Sequence, residues 1–362
     1  MSKVNTTDGM NYAPQVKTKG AVVEKGEFIF AAAYLDHGHI FGMVNGLLEA
    51  GGVCKYVYDT DPKRVENFVK MYPDTKPVSD FNAILQDPEI KMVAAAGIPN
   101  TRGPTGIVVM EHGKDYFVDK TPFTTMAQLN EAKKVCAKTG RKYMVYYSER
   151  LHNESAIYAG QLIEDGAIGK VVQVMGMGPH RINAPTRPDW FFKKEQYGGI
   201  LCDIGSHQCE QFLHFAKAKD AKVLSSKVGN YNNPEYPELE DFGDATLVAD
   251  NGATQYFRVD WLTPDALPTW GDGRTFILGT KGYIELRKYL NIATDDPRSN
   301  HVFLCNQTDY VHLSVEGKVG CPYFGELILD VLNRTELAMT QAHTFKAAEL
   351  CLTAQEMAIK VC

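Results

Sequence analysis

The sequence predicts an α/β protein in which a doubly wound parallel sheet precedes an α+β domain with a large, mostly antiparallel open sheet. Up to about residue 150, short apolar runs alternate with helical stretches, a pattern typical of parallel strands covered on both faces. After Ala221, extended runs follow one another without long helices between them, as in antiparallel sheets. The length of 362 residues also suits two domains.

Strands and helices alternate regularly in the first part of the chain. The predicted strands are Glu27–Ala33, Val53–Asp59, Met92–Gly97, Asp115–Asp119 and Lys142–Tyr147. The predicted helices are His39–Gly51, a helix opened by Pro62, Thr105–Gly113 and Met126–Lys138. A glycine at the end of a helix and a proline in its first turn are common boundary signals. We therefore predict a Rossmann domain over residues 27–150.

The order of elements changes after residue 150. Helical patterns are predicted at Ser155–Asp165 and Gly205–Ala216, with an apolar strand at Lys170–Gly178 between them. Further extended runs are Lys222–Tyr231, Asp244–Asp250, Ala253–Trp261, Arg274–Thr280 and Gly282–Arg287. The chain ends on helices near Phe324–Asn333 and Thr344–Val361. Residues 151–362 are assigned to the α+β domain, with the C-terminal helices expected to pack back on the first domain.

Composition narrows the possible classes of function. Lys plus Arg is 38 and Asp plus Glu is 44, giving a net charge of −6, so there is no electrostatic basis for binding nucleic acid or an anionic membrane. Residues 1–26 lack the apolar core of a signal peptide and are predicted to form a flexible or partner-contacting arm. The eight cysteines include no C-x-x-C pair, which suits a reducing compartment. We expect a cytoplasmic protein.

The turn after the first strand is a candidate dinucleotide site. A G-x-G-x-x-G turn brings backbone N–H groups at a helix N-terminus close to a pyrophosphate. In the same frame this chain has Ala33-Tyr34-Leu35-Asp36-His37-Gly38, which keeps only the third glycine. We expect residues from Leu35 through Asp36, His37 and Gly38 to His39 to lie against the cofactor. The alternative is that Asp36 caps the helix and Gly38 only makes a tight turn.

Asp59 closes the second strand, 21 residues after the last glycine of that turn. A carboxylate there accepts hydrogen bonds from the adenosine ribose, which favours NAD over NADP. The neighbouring Lys63 and Arg64 leave NADP possible. The alternative is that Asp59 and Asp61 form a turn and cap the helix that Pro62 opens.

Two segments carry residues suited to acid–base chemistry. Asp119-Lys120-Thr121-Pro122-Phe123 follows a predicted strand, at the sheet edge where ligands bind, so Lys120 can reach a nicotinamide or a substrate hydroxyl. Residues 198–207 read Gly-Gly-Ile-Leu-Cys-Asp-Ile-Gly-Ser-His. Asp203 and His207 would share one face of a helix that begins there. Histidine is the usual general base near neutral pH, and a nearby carboxylate stabilises its protonated form.

Other interpretations of these segments stay open. Lys120 could be a solvated surface lysine, and Asp203 and His207 could be a helix cap and a packed core histidine. Cys202, Asp203, His207 and Cys209 could ligate a metal ion, but their spacing fits no common zinc pattern. We therefore predict no metal site.

These motifs resemble those of the glucose–fructose oxidoreductase and inositol dehydrogenase group, the Gfo/Idh/MocA family. Its E-K-P motif after the fifth strand is similar to Asp119-Lys120-Thr121-Pro122, and its G-G-G-x-x-x-D-x-G-x-H segment is matched over residues 198–207 with one glycine replaced. Gly166–Lys170 resembles the family's entry into its second domain. The resemblance spans about Glu27 to the C-terminus and implies an NAD(P)-dependent oxidoreductase acting on CH–OH groups of sugars, polyols or related compounds.

The resemblance also implies roles for individual residues. Lys120 would orient nicotinamide and substrate, and His207 would be the general base, assisted by Asp203, so oxidation should rise with pH through the histidine range. Pro99 and Asn100, after the fourth strand, would border the nicotinamide. Two other functions are less favoured, an NAD-assisted glycosidase of the same fold and a noncatalytic NAD- or sugar-sensing regulator.

Several residues suit a small polyhydroxylated substrate. Arg150 follows the sixth strand, His180 and Arg181 follow the seventh, and Trp190 precedes the glycine-rich segment. Trp190 could stack on a sugar face while the other three side chains bond hydroxyls. The alternatives are that Trp190 is a hydrophobic plug and that the arginines bind a carboxylate or phosphate.

The extended runs of the second domain also predict an assembly. An open sheet of this size leaves one broad face that needs cover. Closed oligomers with two-fold symmetry are the common solution. We expect a homodimer or homotetramer.

Overall fold

In this computed structural model, which describes residues 20–296 and 298–362, the N-terminal part forms a six-stranded parallel sheet. Its strands are β1 (Ile29–Ala33), β2 (Val53–Tyr58), β3 (Lys76–Pro77), β4 (Met92–Ala95), β5 (Asp115–Asp119) and β6 (Tyr143–Tyr146). Their order is β3-β2-β1-β4-β5-β6, so the winding direction reverses between β1 and β4. Doubly wound sheets bind ligands in the crevice at this point. The predicted Rossmann fold is confirmed.

Helices connect these strands. They are α1 (His39–Glu49), α2 (Pro62–Met71), α3 (Phe81–Gln86), α4 (Pro99–Glu111) and α5 (Met126–Thr139). Helix α4 begins six residues before the predicted start because Pro104 is accommodated within it. Proline cannot donate to the carbonyl four residues earlier, and that carbonyl, Asn100 O, instead accepts from the side chain of Gln128 at 2.9 Å.

The second sheet has nine strands. They are β7 (Val171–Pro179), β8 (Ala221–Gly229), β9 (Phe242–Ala249), β10 (Thr254–Asp260), β11 (Arg274–Gly279), β12 (Gly282–Arg287), β13 (His301–Asn306), β14 (Tyr310–Ser314) and β15 (Ile359–Lys360). Their order is β14-β13-β12-β11-β7-β10-β9-β8-β15. The β7–β10 and β8–β15 pairs are parallel and the other pairs are antiparallel. The predicted open, mostly antiparallel sheet is confirmed.

The helices of this second part are α6 (Ser148–Leu151), α7 (Glu154–Glu164), α8 (Lys194–Tyr197), α9 (Ile200–Asp203), α10 (Gly205–Ala216), α11 (Tyr323–Asn333) and α12 (Gln341–Met357). Helix α10 lies close against β7. A Cβ atom at Gly176 would overlap the side chain of Gln208, so glycine in the strand permits this close approach. The approach brings the first turn of α10 toward the edge of the first sheet.

The two C-terminal helices pack on the first sheet. Phe324 of α11 occupies the space that a side chain at Gly46 of α1 would need. At the start of α12, the amide of Gln341 accepts from Tyr143 N–H at 2.8 Å and donates to Tyr143 O at 2.7 Å. These contacts fix the second part of the chain against the first.

Residues 1–19 of the predicted N-terminal arm lie outside the described residues. The following segment lies against α1, since Val22 N–H donates to Ala50 O at 3.0 Å. Over residues 20–296 and 298–362, none of the helices has both the length and the apolar character needed to cross a membrane.

Candidate active site

A cleft opens between the carboxyl edge of the first sheet and the second part of the chain. It is lined by eight of the predicted site residues, His37, His39, Pro99, Lys120, His180, Trp190, Asp203 and His207. Five of the ten histidines of the chain line it, the fifth being His152. The site is therefore rich in imidazole groups that can hold or transfer a proton.

Lys120 and Asp203 form a largely buried ion pair across the cleft. Lys120 follows β5 and donates through Nζ to Asp203 Oδ1 at 2.5 Å. The guanidinium of Arg102 donates to the carbonyl of Thr121 at 3.2 Å and also to that of Lys120, which fixes the backbone beneath the lysine. Burial opposes ionisation of Asp203, but Lys120 outweighs it and lowers the pKa of the carboxyl. Lys120 is thus a cleft residue rather than a solvated one.

His207 lies in the same cleft but is not paired with Asp203. Helix α9 ends at Asp203 and α10 begins two residues later, so the two side chains do not share one continuous helix. Asp203 faces Lys120, and His207 Nδ1 is buried with no hydrogen-bond partner in the described part of the chain. Burial lowers the pKa of His207 to about 3. The expected Asp203–His207 partnership is therefore corrected to Asp203–Lys120.

Glu149 also lines the cleft, although it was not predicted from the sequence. It is 3% exposed, and its carboxylate accepts from Lys288 Nζ at 2.9 Å. Burial raises the pKa of Glu149, but Lys288 reverses the effect and the pKa falls to about 2. The argument that singled out Arg150, namely its place just after the sixth strand, applies equally to its neighbour.

Arg150 and Arg181 are not brought to the cleft, which corrects their assignment as substrate ligands. Arg150 Nε donates to Glu210 Oε1 at 2.7 Å, on another side of the short helix α6, because successive helical residues point about 100° apart. Arg181 donates to the carbonyls of Pro264 and Leu267 at 2.7 and 2.6 Å and holds that loop. Both arginines stabilise the walls around the site.

Tryptophan side chains form much of one wall of the cleft, which we call the tryptophan wall. All three tryptophans of the chain, Trp190, Trp261 and Trp270, line it, and the His180 ring lies 4.4 Å from that of Trp270. The indole N–H groups of Trp190 and Trp261 are buried with no hydrogen-bond partner among the residues described. Apolar ring faces and unfilled donors suit a ligand that carries both C–H faces and oxygen acceptors. Only Trp190 was predicted, because Trp261 and Trp270 are distant in sequence from the segments 119–123 and 198–207 that indicated the site.

The turn from β1 to α1 keeps a dinucleotide-type geometry despite its missing glycines. Tyr34 adopts φ of 54°, a left-handed conformation that glycine adopts more easily. Gly38 precedes α1 and has no side chain to cap it, but His39 N–H donates to His37 Nδ1 at 3.2 Å. The alternative that Asp36 is the cap is therefore wrong. Asp36 instead pairs with Arg64 at 3.1 Å. A helix N-terminus at the crevice is the usual site for a phosphate group.

The carboxylate of Asp59 holds the main chain of this turn in place. It accepts from Leu35 N–H at 2.5 Å, Asp61 N–H at 2.7 Å and the Arg64 guanidinium at 2.8 and 3.0 Å. The side chain is 1% exposed. Asp61 caps α2 by accepting from Lys63 N–H at 2.9 Å, as the alternative interpretation held. A ribose contact of Asp59 stays a prediction, and Asp36 and Arg64 are the more accessible charged groups there.

His37 and His39 converge on Asp119 at the end of β5. Asp119 Oδ1 lies 2.9 Å from His39 Nδ1, and Oδ2 lies 3.5 Å from His37 Nδ1 and 3.2 Å from the Arg102 guanidinium. Donor atoms of the three residues lie within 4.8 Å of one another, an arrangement that could hold a metal ion. Arg102 on the same carboxylate offsets the charge that a dication would need. Burial holds the pKa of His37 well below its usual value.

The remaining predicted residues are placed around this cluster. Pro99 lines the cleft, whereas the carbonyl of Asn100 is used by Gln128, as described above. Cys202, from the alternative metal set, directs its thiol to the carbonyl of Cys351 at 3.8 Å. That metal set therefore does not converge.

Comparison with protein families defines the class of the chain. Residues 46–147 match the model of an oxidoreductase family with an NAD-binding Rossmann fold, and residues 157–285 match the GFO/IDH/MocA C-terminal domain. The chain therefore belongs to the GFO/IDH/MocA oxidoreductase family. The resemblance drawn from the Lys120 and Asp203–His207 motifs is confirmed.

Individual relatives agree with this class. A solved structure of a candidate oxidoreductase from Erwinia carotovora atroseptica SCRI1043 is 45% identical, covers 93% of this chain and 100% of its own, and superposes with a TM-score of 0.90. The NAD(+)-dependent scyllo-inositol 2-dehydrogenase of Bacillus subtilis (strain 168) is 26% identical over 69% of this chain and 70% of its own. The NADP(+)-dependent scyllo-inositol 2-dehydrogenase of the same strain is 25% identical over 52% of this chain. The match spans about half of that relative, 53% of its length.

Proposed function

We propose that this chain is an NAD(P)-dependent dehydrogenase that acts on a hydroxyl group of a sugar, polyol or related compound. The observation that carries the proposal is the meeting of Lys120, Asp203 and His207 in one cleft at the ligand-binding edge of the first sheet. Membership of the family and the names of the inositol dehydrogenase relatives support it.

The first domain fits a dinucleotide. The N-terminus of α1 would hold the pyrophosphate, Asp36 and Arg64 would lie on the ribose side, and Pro99 and Lys120 would border the nicotinamide. NAD is the expected form because two carboxylates, those of Asp36 and Asp59, face the single guanidinium of Arg64 there. Arg64 leaves NADP possible. When bound, the cofactor would supply the hydride acceptor.

The residues of the chain supply position and proton transfer. The Lys120 ammonium would orient the substrate oxygen, and the Asp203 carboxylate holds that ammonium in place. The neutral imidazole of His207 would take the hydroxyl proton. The tryptophan wall would stack on the substrate and exclude water from the reacting groups.

A screen of sugars and polyols with NAD and NADP tests the proposal. We expect calorimetry to show binding of at least one cofactor, and absorbance of the reduced cofactor to rise with one class of substrate. Failure to bind either cofactor would contradict the proposal. Sugar release without net cofactor reduction would identify a glycosidase, and binding without any turnover would identify a sensor.

We propose further that the open face of the second sheet forms a homodimer or homotetramer. Met175, Tyr256 and Leu278 lie on adjacent strands and are 39, 41 and 39% exposed. Met175 is in direct register with Tyr256. Exposed apolar groups grouped on one face are typical of subunit interfaces.

Light scattering at micromolar concentration is expected to give the mass of a dimer or tetramer. Met175→Glu combined with Tyr256→Glu should reduce this mass to that of a monomer, because two buried charges would oppose each other across a symmetric interface. Leu337→Glu is the matched control, since Leu337 is exposed but lies outside the sheet. A monomeric parent protein would refute the proposal.

A further inference from the structure

Glu149 is a buried carboxylate in the cleft that the mechanism above does not use. It lies in the first turn of α6, directly after β6, and lines the same cleft as His180 and His207. A carboxylate in such a place is costly to bury unless it is paired. Its partners therefore indicate what its charge does.

Glu149 is held by a frame that includes the helix carrying His207. Lys288, 1% exposed, donates through Nζ to Glu149 Oε2 at 2.9 Å and to Gln211 Oε1 at 2.7 Å. Gln208 lies with Nε2 3.5 Å from the same carboxylate. Gln208 and Gln211 belong to α10, and Gln208 follows His207 directly. The carboxylate and Lys288 together fix the first turn of α10.

The other oxygen of Glu149 faces the second cleft histidine. His180 Nδ1 lies 3.2 Å from the carbonyl of Gly178, which can only accept, so in a neutral ring Nδ1 carries the hydrogen and Nε2 has the lone pair. His180 Nε2 lies 4.0 Å from Glu149 Oε1. If His180 also carried a proton on Nε2, the ring would be a cation and would form an ion pair with the Glu149 carboxylate.

The charges around His207 single out the same carboxylate. Lys120 at the end of β5 acts against a proton on His207, as His180 and His39 would when protonated, whereas Glu149 favours it. Asp203 is committed to Lys120 at 2.5 Å. Glu149 is thus a cleft carboxylate whose charge acts against that of Lys120 at His207.

We propose that Glu149 is a positioning residue of the active site and that its carboxylate, rather than that of Asp203, stabilises the proton that His207 takes from the substrate, with His180 as the neighbouring site for that proton. Lys288 keeps Glu149 ionised and limits how basic the two histidines become. The catalytic part of this inference rests on the proposed dehydrogenase function; the electrostatic part does not.

The catalytic arm compares Glu149→Gln with Glu149→Asp. Loss of the charge should lower kcat by about tenfold or more with little change in KM, since one pKa unit of support corresponds to a factor of ten. Glu149→Asp should recover part of the rate because it retains the charge. Glu349→Gln, at a partly buried glutamate of α12 that pairs with Lys133 and Lys346 outside the cleft, is the control, and its kcat should equal that of the parent. An unchanged kcat in Glu149→Gln would overturn the catalytic part.

The second arm needs no substrate. In Lys288→Met the Glu149 charge is no longer balanced, so NMR titration should show the ring pKa values of His180 and His207 about one unit or more above those in the parent. The double variant Glu149→Gln, Lys288→Met removes both charges together and should abolish this rise while preserving the fold. Equal histidine titrations in the single and double variants would overturn the inference even if the parent is an active dehydrogenase. If the parent protein has no dehydrogenase activity but Lys288→Met still raises the two histidine pKa values, the electrostatic part is upheld and the proposed function fails.

Discussion

Lys120→Met is expected to destabilise the protein and to abolish most turnover at the same time. The substitution keeps the approximate length of the side chain but removes the ammonium group that lies 2.5 Å from Asp203 Oδ1. The Asp203 carboxylate is then left without a cation. Breaking a buried ion pair from one side costs about 3–5 kcal/mol. Denaturant unfolding should show this loss, and kcat should fall by roughly 10²–10⁴-fold because substrate orientation is lost.

The double variant Lys120→Met, Asp203→Asn separates the two effects. Removing both charges should restore most of the unfolding free energy without restoring kcat. Lys70→Met, which breaks an exposed pair with Glu66, should leave the denaturant midpoint nearly unchanged. A double variant that regains full activity would show that the ion pair is only structural.

His207→Asn is expected to lower kcat by roughly 10²–10⁴-fold, the usual contribution of a positioned acid–base group, while cofactor affinity stays nearly unchanged. His112→Asn, at an exposed position after α4, is the control and should behave as the parent. Rate measurements and calorimetric titration with NAD(H) check both expectations. A folded His207→Asn enzyme with the parental rate would make His207 a core histidine.

The pH dependence of the same reaction follows from the burial of His207. Its pKa is lowered to about 3, so the neutral, basic form is lost only as the pH falls toward that value. Between about pH 5 and 8 the base is already fully available, and kcat/KM should show no rise from His207. This replaces the rise through the usual histidine range that the sequence suggested. An inflection near pH 6.5 that disappears in His207→Asn would contradict it.

The sequence predicted elements whose pattern is local. Strands β4 and β5 are buried along their whole length. Strand β4 is a continuous apolar run and β5 has three apolar residues between two aspartates, so both were found. Strand β3, which has two residues, and β14, which is mostly exposed, were not predicted. The boundary of α4 was misplaced because Gln128 compensates for a proline inside the helix.

The site was predictable in its parts but not in its pairing. Lys120 and Asp203 are 83 residues apart, and Glu149 and Lys288 are 139 residues apart, so only the folded chain shows which charges meet. The direction in which a side chain points is likewise known only from the folded chain. Arg150 and Glu149 follow the same strand, and the rotation of α6 decides which of them faces the cleft.

The contact between Gln341 and Tyr143 also determines what can happen at the border of the first sheet. β6 is the last strand there, and a border strand offers unpaired main-chain groups to any other extended chain. The amide of Gln341 satisfies the N–H and C=O of Tyr143 as a seventh strand would. The start of α12 therefore blocks the pairing of β6 with a strand of another molecule. A chain that lost this helix would expose a template for aggregation beside its cofactor domain.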